Sequence, residues 1–306
     1  MIYLSENFKE IESRTGFPQE AVEVLEKTAL MLDEDKKFGA EFERLRKGFM
    51  YGKRHDMRKY IKKIEELAEK HGIHPYTLDL VYVMVCCELL KKRYERAGIP
   101  ENIYWDGVCD LKYKLVECME CEHQVGTFVA DWNWGFLKMT RFALGRFQFE
   151  YDDFGQDFTT SFGFHIKKGA DCLNFHIPSS GVSLSDDVRF DSYKKAYDFF
   201  KDMRTKDGYL ILNCSSWLLF PKHEQMLAPE SNIMKFYRDF EIYDWQERDN
   251  FGDDWRIWGH YSDDPLEDRP ADTSLRKAYK DWMMAGNKTG YGRGVIILKD
   301  GKIYRG

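Results

Sequence analysis

Proline is scarce in this chain, with 8 in 306 residues, and no segment is repetitive or low in complexity. That excludes collagen-like and proline-rich disordered architectures. Long apolar runs are also missing. The longest, Leu80 to Leu90, contains Glu88 and falls far short of the roughly 20 residues a membrane helix needs. The first residues, Met-Ile-Tyr-Leu-Ser-Glu-Asn, offer neither a basic n-region nor an apolar h-region, so no secretory signal is expected. Seven cysteines, an odd number without an export signal, are read as reduced thiols in cytoplasm. No strong excess of either charge is present. The formal net charge of −6 argues against a broad nucleic-acid footprint. The basic run Lys53, Arg54, Arg58, Lys59, Lys62, Lys63 is answered by Glu65, Glu66 and Glu69, the pattern of a solvated helix face. Nor is there a Gly-x-Ser-x-Gly elbow for nucleophilic hydrolysis.

What is abundant is aromatic and helix-forming. Aromatics make up 16% of the chain, including 22 Phe and 8 Trp, which suits dense cores or apolar clefts without naming a ligand. The first half reads as helical: Ala21 to Leu32, Lys36 to Met50, Asp56 to His71, the very apolar Tyr76 to Ala97, Asn102 to Cys121 and Trp132 to Leu144. The Cys86-Cys87 pair is read as core packing. At Arg146 the texture changes. Phe147 to Tyr151 alternates as a strand does, and Phe162 to Lys167 and Cys172 to Ile177 suggest a hairpin turning at Lys168 to Asp171. A helix from Ser185 follows, with Val188, Tyr193, Ala196, Tyr197 and Phe200 on one side. Next comes a buried parallel strand, Tyr209 to Cys214. A helix over Ser231 to Asp239, strands at Phe240 to Trp245 and Trp255 to Trp258, a helix from Thr273 to Ala285 and two terminal strands complete the reading. The fold class is α+β: an all-helical domain over 1–145, then a mixed α/β domain over 146–306.

Several motifs have competing explanations. Cys118-x-x-Cys121-x-His123 is half of a zinc pattern, with no second pair to complete four ligands. The acidic stretches Asp249 to Asp254 and Asp263 to Asp268 lack the alternation of a calcium loop. The string Gly286, Gly290, Gly292, Gly294 follows a helix and opens a strand, the reverse of a dinucleotide fingerprint, and reads as a flexible turn. Cys214 and His176, at the ends of neighbouring strands, suit either a thiol–imidazole pair or plain core. The strand ending at Ile177, the turn Pro178-Ser179-Ser180-Gly181 and the helix at Ser185 form a generic anion site, because unpaired N–H groups converge there. The same arrangement is also an ordinary strand-to-helix connection. The residues alone leave both open.

Taken together, a set of segments resembles a known family. They are Ile103-Tyr104-Trp105 with Asp110-Leu111-Lys112, Gly126-Thr127-Phe128, Arg141 to Arg146, His176-Ile177-Pro178-Ser179, Ser216-Trp217-Leu218-Leu219, Ser231-Asn232-Ile233, Trp255-Arg256-Ile257 and Lys280-Asp281-Trp282 onward to Gly292. Across nearly the whole chain this is similar to bacterial proteins that join a helical N-acyltransferase N-terminal domain to a GNAT-like (Gcn5-related N-acetyltransferase-like) C-terminal domain. The resemblance implies an acyltransferase that takes acyl-coenzyme A, acetyl-coenzyme A included, as co-substrate, with no permanently bound cofactor or metal, and a small-molecule amine as acceptor. Neither nucleic acid nor membrane is an expected partner. It further implies that the splayed strand around Phe175 and Ile177 pairs with the pantetheine arm, and that Pro178, Ser179, Ser180, Gly181, Val182 and Ser183 hold the pyrophosphate, with Asn232 also on the coenzyme. His176 is the implied base, with Glu150 as second candidate, and Tyr237 the acid for the leaving thiolate. Arg141 and Arg146 are candidates for a phosphate or acidic acceptor, or for a salt bridge. Two departures stand out. The family's Gln/Arg-x-x-Gly-x-Gly/Ala phosphate loop is replaced by Pro-Ser-Ser-Gly, and Tyr237 sits two residues short of the usual spacing from Asn232. The alternative is a GNAT-shaped binding protein without chemistry.

Overall fold

The computed structural model describes residues 3–52, 57–249, 252–259 and 264–306. The chain divides into two units, Met1–Ala143 and Leu144–Gly306.

The first unit is built from α1 (Glu6–Thr15), α2 (Gln19–Glu34), α3 (Lys36–Tyr51), α4 (Met57–Lys70), α5 (Pro75–Ala97), α6 (Glu101–Cys121) and the short α7 (Trp134–Leu137). Local chemistry sets the ends. The Ser5 hydroxyl accepts from the Phe8 amide, the Asp35 carboxylate accepts from Lys37 and Phe38, and Gly98 closes α5 in the left-handed region. Every residue from Thr77 to Cys87 is buried, which is why α5 lacks a polar face: it is the axis around which its neighbours pack. Burial pushes the Cys86 thiol up to about 12 and Cys87 in the same direction, so both are core thiols. Arg58, Lys59, Lys62 and Lys63 lie on the exposed face of α4; Lys53, Arg54 and Asp56 lie outside the described residues.

One expected helix is corrected. Trp132 to Leu144 is a single turn of 3-10 helix, then α7, then strand β1 (Arg141–Leu144), which spans the division between the units. Met139 adopts a positive φ of 58° that ends the helix. Arg141 then folds back, its guanidinium 3.8 Å over the Trp132 ring and Nη1 donating to the Trp132 carbonyl at 2.9 Å.

The second unit contains β2 (Phe147–Asp153), β3 (Phe158–Thr159), β4 (His165–Ile166), β5 (Asp171–His176), α8 (Asp186–Phe199), β6 (Tyr209–Ser216), α9 (His223–Met226), α10 (Asn232–Tyr237), β7 (Glu241–Arg248), α11 (Asp254–Trp258), α12 (Ser274–Met284), β8 (Thr289–Lys299) and β9 (Lys302–Ile303). Its sheet runs β2-β5-β6-β8-β7, with β9 beside β8. In this sheet β5 and β6 pair in parallel, joined by the α8 crossover, while β2 with β5, β6 with β8, β7 with β8 and β8 with β9 pair antiparallel.

The expected hairpin of Phe162–Lys167 with Cys172–Ile177 does not form. β4 pairs with β3, while β5 pairs with β2. The segment around β3 and β4 instead lies over one sheet face, where Phe158, Phe162, Phe164 and Ile166 cover Cys172, Ile211, Val295 and Ile297. Trp255 to Trp258, read as a strand, is the helix α11, closed by Gly259 at φ 86°. The glycine string is corrected too: Gly290, Gly292 and Gly294 are interior to the 11-residue strand β8. They alternate onto one face, and there a side chain on each would strike the Phe220 ring, the Leu219 carbonyl and the Phe240 Cβ respectively. The glycines let the chain cross the sheet at close range.

Candidate active site

The site begins with a break in the sheet. β5 and β6 are in register only at Leu173↔Leu212 and Asn174↔Asn213. Beyond that point β5 stays with β2 as far as His176↔Gln148, and β6 stays with β8 as far as Ser216↔Gly292. Each strand follows its outer neighbour, so the two parallel strands part at their C-terminal ends. Main-chain groups of β5 that point away from β2 past Asn174 have no ladder partner on β6. This is the position where open α/β sheets bind ligands.

Strand alternation decides what faces the fork. Phe175 points toward α8, packed on Phe147 at 4.4 Å between ring centroids and on Phe149 at 5.2 Å. Its side chain is core, so any contact with a ligand is through its backbone. His176 points to the opposite face. Glu150, on β2, pairs with Asn174 and is therefore diagonal to His176, and the two meet: His176 Nε2 lies 3.1 Å from Glu150 Oε2. Their side chains are 15% and 12% exposed, so the pair is largely shielded yet open at one edge. Two residues 26 apart in sequence, each a separate candidate for the base, form one unit.

Further along the same face Asn213 accepts a hydrogen bond from the Tyr243 hydroxyl at 2.8 Å. Tyr243 reaches it because β7 carries an irregularity between Ile242 and Asp244 that throws one residue out of register. Burial pushes the Tyr243 phenol up to about 12. Arg293 pairs with Asp244 at 3.4 Å beside it. Asn213 and Tyr243 were not legible as site residues, and nothing in the local sequence signals the bulge.

The turn after β5 is braced from below. Arg146 Nη1 donates to the Pro178 carbonyl at 2.8 Å and Nε to the Val182 carbonyl at 2.9 Å. Within the turn the Ser180 amide donates to the Pro178 carbonyl, the Val182 amide to the Ser180 hydroxyl, and the Ser185 amide to the Ser183 hydroxyl. Among the described residues, hydrogen bonds within the turn leave out the amides of Ser179, Gly181 and Ser183. Gly181 holds φ 71° with open space around it. Asn232, exposed at the start of α10, donates from Nδ2 to the Ser183 hydroxyl at 3.0 Å, so two sequence-predicted coenzyme residues meet. Ile177 lies half-buried between the strand and the turn.

A buried network sets α8 against the end of α10. Arg189 Nε lies 2.7 Å from Asp239 Oδ2, the Tyr193 hydroxyl donates to the same oxygen at 2.9 Å, and Arg189 also meets Asp186 at 3.0 Å. Thus Arg189 and Ser192, rather than Val188, complete the buried side of α8. Ser192 is held by donating to the Leu144 carbonyl at 2.5 Å. The signal was available: an arginine one residue past the expected apolar position.

The remaining candidates separate. Tyr237, half-buried on α10, has its phenol pushed upward by burial first and by Glu224 second. Cys214 is buried and points to the α8 side, opposite His176, with burial raising its thiol well above the ordinary range; the thiol–imidazole pair does not form. Arg141 is buried on Trp132 in the first unit. Among the described residues no group of three side chains could hold a metal ion, and no helix is long and apolar enough to cross a membrane.

Comparison with known proteins decides the family. Residues 142–296 match the GNAT-like C-terminal domain, and residues 6–139 match the N-acyltransferase N-terminal domain. The chain belongs to this acyltransferase family. Solved structures of similar fold include an acyltransferase in complex with decanoyl-CoA and teicoplanin, at 20% identity and a TM-score of 0.75, covering 96% of this chain and 88% of that one. Another is a mutant acyltransferase in complex with octanoyl-CoA, at 19% identity, a TM-score of 0.74 and the same coverage. A third, with decanoyl-CoA alone, has 20% identity, a TM-score of 0.72 and coverage of 94% and 86%. No curated protein matches the chain in sequence. An acyltransferase of the GNAT-like class is thus the frame for the fork, the His176–Glu150 pair and the braced turn.

Proposed function

We propose that the protein is an N-acyltransferase that moves an acyl group from acyl-coenzyme A to a small-molecule amine by direct attack. The observation that carries this reading is the parting of β5 and β6 beside the His176–Glu150 pair. A pantetheine arm is a strip of amides, and it suits a strand whose outer main-chain groups lack a ladder partner. The pyrophosphate would lie against the amides of Ser179, Gly181 and Ser183, with Arg146 beneath the turn and Asn232 at its side.

In the reaction the amine lone pair attacks the thioester carbonyl carbon, the C–S bond breaks, and the amine proton leaves. His176, held against Glu150, is the acceptor for that proton. Glu150 then orients the ring and stabilises the imidazolium, which makes it a positioning residue. Tyr237, on the helix that begins at Asn232, is the candidate to protonate the departing thiolate. A non-catalytic ligand-binding protein that keeps the GNAT-like fold is the competing account, and the Pro-Ser-Ser-Gly turn, which departs from the family's phosphate loop, is the feature that speaks for it.

Thermal unfolding with coenzyme A, acetyl-coenzyme A and decanoyl-coenzyme A tests the binding step. At a hundredfold excess over Kd the stabilisation is about 2.7 kcal/mol. Free-thiol release across an amine panel tests transfer. No stabilisation by any of the three ligands would sink the coenzyme reading, whereas stabilisation without amine-dependent thiol release would leave the binder.

A further inference from the structure

The fork carries a second polar pair besides His176–Glu150. Tyr243 donates its hydroxyl proton to Oδ1 of Asn213 at 2.8 Å. With Oδ1 taken, the two protons on Nδ2 are the group the Asn213 carboxamide presents elsewhere. Among the described residues no other side-chain hydrogen bond engages it. Asn213 is only half-buried, and it is the last residue of β6 in register with β5, so its side chain stands where the strands begin to separate. Tyr243 in turn sits at a β7 irregularity in contact with two rings, Phe154 at 5.4 Å and Phe158 at 5.5 Å between centroids. A tyrosine thrown out of register and packed on two aromatics serves here to pin one amide.

We propose that the Asn213 side-chain amide donates a hydrogen bond to a carbonyl oxygen of the pantetheine arm, with Tyr243 as the residue that holds it in that orientation. This rests on the coenzyme reading above. An extended amide strip entering between β5 and β6 finds main-chain donors on β5, while the facing wall offers the Asn213 Nδ2 protons at the point of entry into the sheet. One such bond, made on binding and lost on substitution, changes affinity by about tenfold.

The test compares two probes on the full chain by calorimetry: coenzyme A, and its nucleotide portion lacking the pantetheine arm. Asn213→Leu and Asn213→Asp should each weaken coenzyme A binding about tenfold while binding of the nucleotide portion is unchanged. Tyr243→Phe should weaken coenzyme A binding to a smaller extent, and the double variant Asn213→Leu with Tyr243→Phe should be no worse than Asn213→Leu alone. Unchanged coenzyme A affinity in both Asn213 variants would overturn the inference, and so would an equal loss for both probes, which signals a structural defect. Failure of the unsubstituted protein to bind coenzyme A at all would instead overturn the coenzyme reading on which the inference rests.

Discussion

Glu150→Gln isolates the charge at the centre of the proposed chemistry while keeping a hydrogen-bonding partner of the same shape. The carboxylate Oε2 lies 3.1 Å from His176 Nε2. An imidazolium and a carboxylate about 4 Å apart attract by about 4 kcal/mol at an effective dielectric constant of about 20. Both side chains are partly open to water, at 15% and 12% exposure, so roughly half of that is expected to survive screening. The loss, about 2 kcal/mol, falls on the step in which His176 becomes charged. It therefore corresponds to a fall of about 30-fold in kcat. The new charge arises in the chemical step and not in coenzyme binding, so affinity for coenzyme A should move by less than about twofold. The assay is thiol release at saturating acyl-coenzyme A and amine, with affinity measured separately. His176→Ala should cost more, about a hundredfold or beyond. Because the pair acts as a unit, adding Glu150→Gln to His176→Ala should cost nothing further. A fall in kcat smaller than about threefold for Glu150→Gln, or full additivity of the two substitutions, would refute the assignment of Glu150 as the partner of a charging His176.

Two further outcomes concern stability. Asp79 is buried in α5, and burial, with Glu65 and Asp131 adding, raises its carboxyl from 3.8 to about 9. The folded chain holds a proton that the unfolded chain has released above about pH 4, so this group's contribution is complete below that pH and declines until about pH 9. Asp79→Asn removes the titration and should stabilise by about 2–4 kcal/mol at pH 7, with the gain vanishing near pH 4; a gain independent of pH in denaturant titrations would contradict the buried-proton account. Gly292→Ala drives a methyl into the Leu219 carbonyl, a backbone group that cannot turn aside, and should destabilise by roughly 3 kcal/mol or more. Gly181→Ala, with open space but φ 71°, should cost about 1 kcal/mol; equal costs by thermal unfolding would count against the crossing.

Much of the architecture could be read residue by residue. In the first unit α2 to α6 are legible from periodicity and stop signals such as Gly72 and Gly98, whereas α1 (Glu6–Thr15) is not among the helices read from the sequence; β5, the turn and α8 are legible in order because Ser185, Asp186 and Asp187 mark a helix start. The misreadings share a cause. Trp132 to Leu144 and Trp255 to Trp258 are short aromatic segments whose pattern fits either helix or strand, and the choice falls to a left-handed residue at Met139 or Gly259. The glycines of β8 look like a turn until the chain that crosses them is known. The turn at Pro178 was visible, but not that Ser180 and Val182 spend their amides within it, nor that Arg146 supports it from beneath.

By itself the sequence determined the elements, their order and the chemistry available: an imidazole at the end of one strand, a carboxylate on another, a small polar turn ahead of a helix. Tertiary structure alone decided which of these meet. Register made Glu150 and His176 diagonal neighbours, while strand alternation turned Cys214 to the other face. A one-residue irregularity in β7 brought Tyr243 to Asn213. Such pairings depend on hydrogen-bond ladders between segments distant in the chain, and a shift of one residue would exchange every side chain between the two faces of the sheet.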